Sequence, residues 1–151
     1  METVRPQWSD SFWFSGSTWR ASARNTFWCL LGCSIGDFGT IAFFQFTGIP
    51  WPVLAIMILA IINGLITSIL LETWILFRAG MAFAASFKTA IGMSLVSMIS
   101  MEAAMNLCDW YLTGGAKLTW WVIPIMLLVG FLTPWPYNYW RLKKYGKACC
   151  H

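Results

Sequence analysis

The chain has 151 residues, of which 58% are hydrophobic and 11% are charged, and its formal net charge is +4. A mean hydropathy of +0.63 excludes an ordinary soluble domain, in which about 25% of the residues are charged. Phosphate-binding glycine loops, nucleophile elbows and nucleic-acid-binding motifs do not occur in the sequence. Because the basic residues follow a membrane topology, the positive charge does not indicate a nucleic-acid partner.

Four apolar stretches are long enough to cross a lipid bilayer as helices, which takes about 20 residues each. They cover residues 26–46, 52–77, 86–108 and 118–140. Short connections with glycine or proline separate them, so the sequence predicts a single all-α domain at 25–140, an integral membrane four-helix bundle. The aromatic residues of 1–24 predict an N-terminal interfacial segment. Residues 141–151 form a basic tail that ends Cys-Cys-His.

Lysine and arginine residues set the expected orientation. They occur before the first stretch, around the link between the second and third, and after the fourth, whereas the other two loops contain only Lys117. The positive-inside rule therefore predicts that both termini are cytoplasmic. The expected location is the cell inner (plasma) membrane. Tryptophans near the ends of the stretches are typical of an aromatic belt at the headgroup level. The lipid bilayer is thus the first expected partner.

Four acidic residues lie inside or at the ends of the apolar stretches, namely Asp37, Glu72, Glu102 and Asp109. An ionisable group in hydrocarbon costs about 2.5–3.5 kcal/mol on insertion scales, so it is normally paired, protonated or bound to something. Lys88 and Arg78 are within reach of Glu72, and Asp109 is interpreted as a solvated acid at a helix end. With a rise of about 1.5 Å per residue, Asp37 and Glu102 reach similar depths near the middle of the bilayer.

The first stretch carries Cys29, Cys33 and Asp37 at four-residue spacing, which places them along one side of a helix. Two thiols and a carboxylate are donor groups for a soft or borderline metal ion. The alternative is that both cysteines are small buried residues at a close helix contact, which the spacing of Gly32 and Gly36 favours.

The third stretch repeats the pattern, with Glu102, Asn106 and Asp109 on one helical face. Methionines at positions 98, 101 and 105 form a stripe beside it. Thioethers suit copper(I), whereas carboxylates and amides suit harder ions, so this face does not select one metal. Packing is the alternative role for the methionines. At the chain end, two thiols and an imidazole add donors of the types that bind zinc or copper.

Three motifs, Cys29–Asp37, Ser97–Asn106 and Pro136–Gly146, are similar in order and spacing to a bacterial membrane family, domain of unknown function 4396. The resemblance covers about residues 26–151. It implies a small helical membrane domain without an established activity. Many members have a His-Cys-x-x-Gly-Cys pattern, and Trp28 stands here at the histidine position, which removes one candidate ligand.

Three functions are compatible with these patterns. The first is an integral membrane protein that binds a metal ion, copper or zinc/iron, within its bundle for storage, sensing or transfer. Its expected ligands are Cys29, Cys33, Asp37, Glu102, Asn106, Cys149, Cys150 and His151. The second is an accessory or assembly subunit of a larger membrane complex, or a homo-oligomer. A membrane enzyme with a carboxylate di-metal site ranks last, because Glu-x-x-His motifs are absent and the only histidine is His151.

Overall fold

The computed structural model describes residue 14 and residues 16–145. This part of the chain contains five helices and no strand: α1 (Gly16–Thr47), α2 (Val53–Arg78), α3 (Phe83–Thr113), α4 (Val122–Leu132) and α5 (Trp135–Tyr145). The predicted all-α class is confirmed. Helix α1 begins within the predicted segment 1–24, of which residues 1–13 and 15 lie outside the described residues.

Two of the described helices, α1 and α2, are long and apolar enough to cross a membrane. Helix α3 is a third candidate if its two parts form one span. These parts, Phe83–Gly92 and Leu95–Thr113, differ in direction by 55°. The length and composition of these helices are those of a membrane protein.

Helices α1 and α2 run antiparallel and approach each other at two glycines of α1. A Cβ atom at Gly32 would lie 2.6 Å from the Ser68 Cα atom, and one at Gly36 would overlap the Asn63 carbonyl group. The close approach also lets Thr67 donate from Oγ1 to the Gly32 carbonyl oxygen at 2.6 Å. The predicted contact through Gly32 and Gly36 is thus confirmed, and it fixes the face of α1 that turns toward α2.

The fourth apolar stretch, 118–140, is not one helix. Helix α4 has 11 residues, and α5 begins after a break at Thr133 and Pro134. Proline has no backbone N–H, so Pro134 interrupts the hydrogen-bond ladder of the helix. The next helix starts where the Asn138 backbone N–H donates to the Pro134 carbonyl oxygen at 2.8 Å. An 11-residue helix rises about 16 Å, roughly half of the hydrocarbon thickness. A four-helix bundle of four full spans therefore stays a prediction.

Helix α5 lies against the first turns of α1. The Tyr139 ring stacks on the Trp19 ring with centroids 4.0 Å apart, and the Trp135 ring meets Trp19 edge-on. Asn138 donates from Nδ2 to Thr26 Oγ1 at 2.8 Å in a buried contact. These aromatic and polar contacts bring the chain back to the end of the molecule where α1 begins.

Candidate cation site in the helix interior

Asp37 and Glu102 meet in the interior between α1, α2 and α3. Both side chains are fully buried, and their carboxyl groups interact electrostatically. Asn106, one turn after Glu102, donates from Nδ2 to Asp37 Oδ1 at 3.0 Å and to the Glu102 backbone oxygen at 3.0 Å. We call Asp37, Glu102 and Asn106 the central cluster. This contact places the two acids at the same level along their helices and shows that they face each other.

Apart from the Cys33 thiol, which interacts with the Glu102 side chain, four oxygen atoms of the central cluster have no hydrogen-bond donor within the described part of the chain. They are Asp37 Oδ2, Glu102 Oε1 and Oε2, and Asn106 Oδ1. No described lysine or arginine contributes to the electrostatics of either acid. Buried polar atoms are normally hydrogen-bonded, and buried charges are normally paired or bound to a metal. The chemistry of the cluster therefore calls for a proton or a metal cation.

Gly64 on α2 provides the space that the Glu102 carboxyl group occupies. A Cβ atom at Gly64 would overlap this carboxyl group and would lie 3.0 Å from the Cys33 backbone oxygen. A larger residue at this position would displace Glu102 from Asp37. Sequence reasoning missed Gly64 because both of its contacts come from other helices. Its only signal in the sequence is a glycine within an apolar helical pattern.

The two thiols of α1 have different partners. Cys29 donates its thiol hydrogen to Glu72 Oε1 on α2. Cys33, one turn further along, interacts with the side chains of Ser68 and Glu102. Both cysteines are buried, and neither forms a disulfide bond. The contact between Cys29 and Glu72 was not predicted, since it depends on how α1 and α2 are rotated against each other.

The structure brings together part of the predicted ligand set. Asp37, Glu102 and Asn106 form the central cluster with Cys33 beside it, whereas the Cys29 thiol turns to Glu72. Among the described residues, no three His, Cys, Asp or Glu side chains are grouped so that they could hold one metal ion. The predicted ligands Cys149, Cys150 and His151 lie outside the described residues. Metal binding itself stays a prediction.

The methionine stripe belongs to the apolar core. Met98, Met101 and Met105 are fully buried there and pack in one cluster with Met126 of α4. The Met105 sulfur lies 2.7 Å from the position that a Cβ atom of Gly130 would take, so it fills the space left by this glycine. These contacts give the stripe a packing role between α3 and α4.

Asp109 is fully buried, so its interpretation as a solvated acid is wrong. Its Oδ1 accepts a hydrogen bond from Thr113 Oγ1 at 3.0 Å, and its Oδ2 accepts one from the Lys117 backbone N–H at 3.0 Å. Gly114, with φ of 75°, ends α3 in the left-handed conformation and turns the chain toward Asp109. Asp109 thus ties the following loop to the end of α3.

A protein-family model described as Domain of unknown function (DUF4396) matches residues 18–147. This match confirms the resemblance seen in the three motifs. No curated protein and no solved structure is significantly similar to the chain.

Proposed function

Because the chain belongs to the DUF4396 family, whose description assigns no function, we propose its function from the geometry of its interior. The protein is an integral membrane protein that binds a metal cation at the central cluster, for metal handling or transfer. The observation that carries this proposal is the set of buried acceptor oxygens without donors on Asp37, Glu102 and Asn106. A cation would satisfy these oxygens and neutralise two acids that face each other.

The donor atoms favour a particular class of ion. Two carboxylates and one amide are oxygen donors, and the Cys33 thiol lies beside Glu102. Zinc(II) and iron(II) accept this mixture, whereas copper(I) prefers thiolates and thioethers. Since the methionine stripe has a packing role, zinc or iron is favoured over copper.

Metal binding at this site would displace protons. In the empty site, two adjacent carboxyl groups in a low-dielectric interior repel each other when both are charged, which favours a proton shared between them. A metal ion binds the deprotonated oxygens, so its affinity rises with pH until the carboxyl groups are ionised. Asn106 would hold Asp37 in place through its Nδ2 donor while the ion exchanges with protons.

We also propose that the chain crosses the membrane four times, with both termini cytoplasmic. Leu118 exchanges backbone hydrogen bonds with the Gln45 side chain near the end of α1, whereas Trp135 donates from Nε1 to Ser22 Oγ near its start. Between residues 22 and 45, α1 rises about 34 Å, which is enough to cross the hydrocarbon core. The segment that contains α4 therefore spans a similar distance in the opposite direction.

Metal analysis of the purified protein tests the proposed site. We expect about one zinc or iron ion per chain in the wild type, after purification in detergent without chelators. The Asp37→Asn and Glu102→Gln variants should each bind the metal at least ten-fold more weakly, since each replaces a charged ligand by a neutral one of the same shape. Zinc titration of chelator-treated protein measures the affinity.

Asp109→Asn is the matched control for these variants. It is also a buried acid on α3, but its carboxyl oxygens are hydrogen-bonded within its own loop. Because the Asp109 charge acts on Asp37 from a distance and does not contact the site, zinc affinity should change much less in this variant than in Asp37→Asn or Glu102→Gln. Absence of metal and of zinc binding in folded wild-type protein would overturn the proposal, as would equal affinity in the wild type and in Glu102→Gln.

A role as an accessory or assembly subunit is the second candidate. The favouring observation is that only 28% of the most apolar 18-residue window of α2 is buried within the chain. An exposed apolar face of this extent contacts either lipid or the helices of another protein. Purification from native membranes in mild detergent distinguishes the two, since a metal-free complex with fixed stoichiometry would favour the subunit role.

A further inference from the structure

Helix α5 carries two aromatic and two basic side chains on one face. These are Tyr137, Trp140, Arg141 and Lys144, whose spacing of three, four and seven residues places them along one side of the helix. We call them the α5 stripe. Tyr139, which is fully buried and stacks on α1, lies on the opposite side of α5. The stripe therefore faces away from α1.

Rings and cations of the stripe contact one another. The Tyr137 and Trp140 ring centroids are 6.0 Å apart, and Lys144 Nζ lies 4.8 Å from the Trp140 centroid. The Trp140 ring attracts this ammonium group through a cation–π interaction. Arg141 and Lys144 are three residues apart, so their side chains are neighbours on the helix surface. The stripe thus presents two adjacent positive charges beside a pair of aromatic rings.

The contacts of α5 with α1 lie at the level where lipid headgroups are expected. Trp135 meets the Trp19 ring and donates to Ser22 Oγ, both in the first turns of α1. Because α1 rises about 34 Å between residues 22 and 45, the first of these positions lies at one boundary of the hydrocarbon core. Tyrosine, tryptophan and basic residues are the types that membrane proteins place at this boundary.

The charge of this end of the molecule favours an anionic partner. Helix α5 has three basic residues and no acidic one, and Arg20 and Arg24 in the first turns of α1 add two more positive charges. The described acid that lies nearest this end, Glu72, is buried. A surface of this kind attracts the headgroups of anionic lipids.

We infer that the α5 stripe binds the headgroup of an anionic phospholipid. Arg141 and Lys144 hold the lipid phosphate, and the guanidinium group can donate two parallel hydrogen bonds to it. The Tyr137 and Trp140 rings pack against the glycerol group and the first carbons of the acyl chain. This site is separate from the central cluster and does not depend on metal binding.

Lipid titration of the full-length protein tests the inference. The protein is purified in a non-ionic detergent, freed of bound lipid, and titrated with phosphatidylglycerol or with phosphatidylcholine of the same acyl chains. Native mass spectrometry counts the bound lipids and gives their affinities. We expect the first phosphatidylglycerol to bind about ten-fold more tightly than phosphatidylcholine. Arg141→Gln and Lys144→Gln should each weaken phosphatidylglycerol binding about five-fold and leave phosphatidylcholine binding unchanged.

Lys143→Gln is the matched control, because it removes the same charge from the same helix. Lys143 lies about 100° from Lys144 around the helix axis, outside the stripe, so this variant should lose less than about two-fold in affinity. Equal losses in Lys143→Gln and Lys144→Gln would show that only the overall charge of this end matters, and would overturn the inference. Equal affinity of the wild type for the two lipids would overturn it as well.

Inorganic phosphate distinguishes a lipid headgroup from a soluble anion. Added in large excess, it should displace no more phosphatidylglycerol than sodium chloride of equal ionic strength, because it lacks the groups that pack against the aromatic rings. Complete displacement by phosphate alone would mean that the stripe recognises free phosphate, and the lipid inference would be wrong.

Discussion

Glu102 is held in a position that is unfavourable for a charged side chain. It has no exposed surface, no described lysine or arginine pairs with it, and Asp37 lies beside it. Replacing a buried charged group by a neutral one of similar volume is often neutral or stabilising. Burying Glu102 therefore lowers the stability of the protein, which is expected of an acid that serves binding rather than stability.

We predict that Glu102→Gln stabilises the metal-free protein by about 1–3 kcal/mol at a pH high enough to remove the shared proton, because a neutral amide removes the repulsion between two charged carboxylates and can donate to Asp37. With saturating zinc the wild type should be more stable than the variant, since the ion stabilises only a protein that binds it. Thermal unfolding in detergent, with zinc or with chelator, measures both effects. Equal stability of the two proteins under both conditions would contradict a cation role for Glu102.

At the scale of elements, the contact between α1 and α2 places Asp37 at the cluster. This contact depends on Gly36, where an added Cβ atom would overlap the Asn63 carbonyl group. A backbone carbonyl group cannot move aside as the end of a flexible side chain can. Helix α1 would therefore have to move away from α2. We predict that Gly36→Ala destabilises the protein by about 1–3 kcal/mol and weakens metal binding as well.

Gly39→Ala is the control for this prediction, because it lies on the same helix and its Cβ atom would meet nothing within 4 Å. Alanine there should leave stability unchanged or raise it by about 0.5–1 kcal/mol, through its better helix propensity. Denaturant unfolding in detergent compares the two variants. If both substitutions had the same effect, close packing at Gly36 would not be what holds the helices together.

The features of this arrangement that depend on local sequence patterns could be predicted, and those that depend on distant contacts could not. Gly32 and Gly36 mark the helix contact within one stretch, and the rise per residue converts sequence position into the shared depth of Asp37 and Glu102. The rotation of each helix is set by contacts with distant segments, so the space at Gly64 could not be predicted. The break before α5 was also missed, because hydropathy averaged over a long stretch conceals a single proline such as Pro134.

At the scale of the whole molecule, basic residues gather at one end. Seven of the eight described lysines and arginines lie at the start of α1, the end of α2, the start of α3 or on α5, namely Arg20, Arg24, Arg78, Lys88, Arg141, Lys143 and Lys144. Only Lys117 lies at the other end, in the loop after α3. Since α5 packs on the first turns of α1, these positions form one basic end of the molecule.

We predict that the basic end faces the cytoplasm and that Lys117 faces the other side of the membrane. A fluorescent protein that matures only in the cytoplasm should therefore fluoresce when fused after residue 151, but not when the chain is truncated and fused after residue 116. The reason is that the segment from 118 to 135 must return across the membrane before α5 can reach Trp19.

A dark C-terminal fusion in correctly inserted protein, together with a fluorescent fusion after residue 116, would show that the orientation is the reverse of the predicted one. Fluorescence of both fusions, or of neither, would mean that the segment containing α4 does not cross, and α5 would then need another explanation for its contacts with α1.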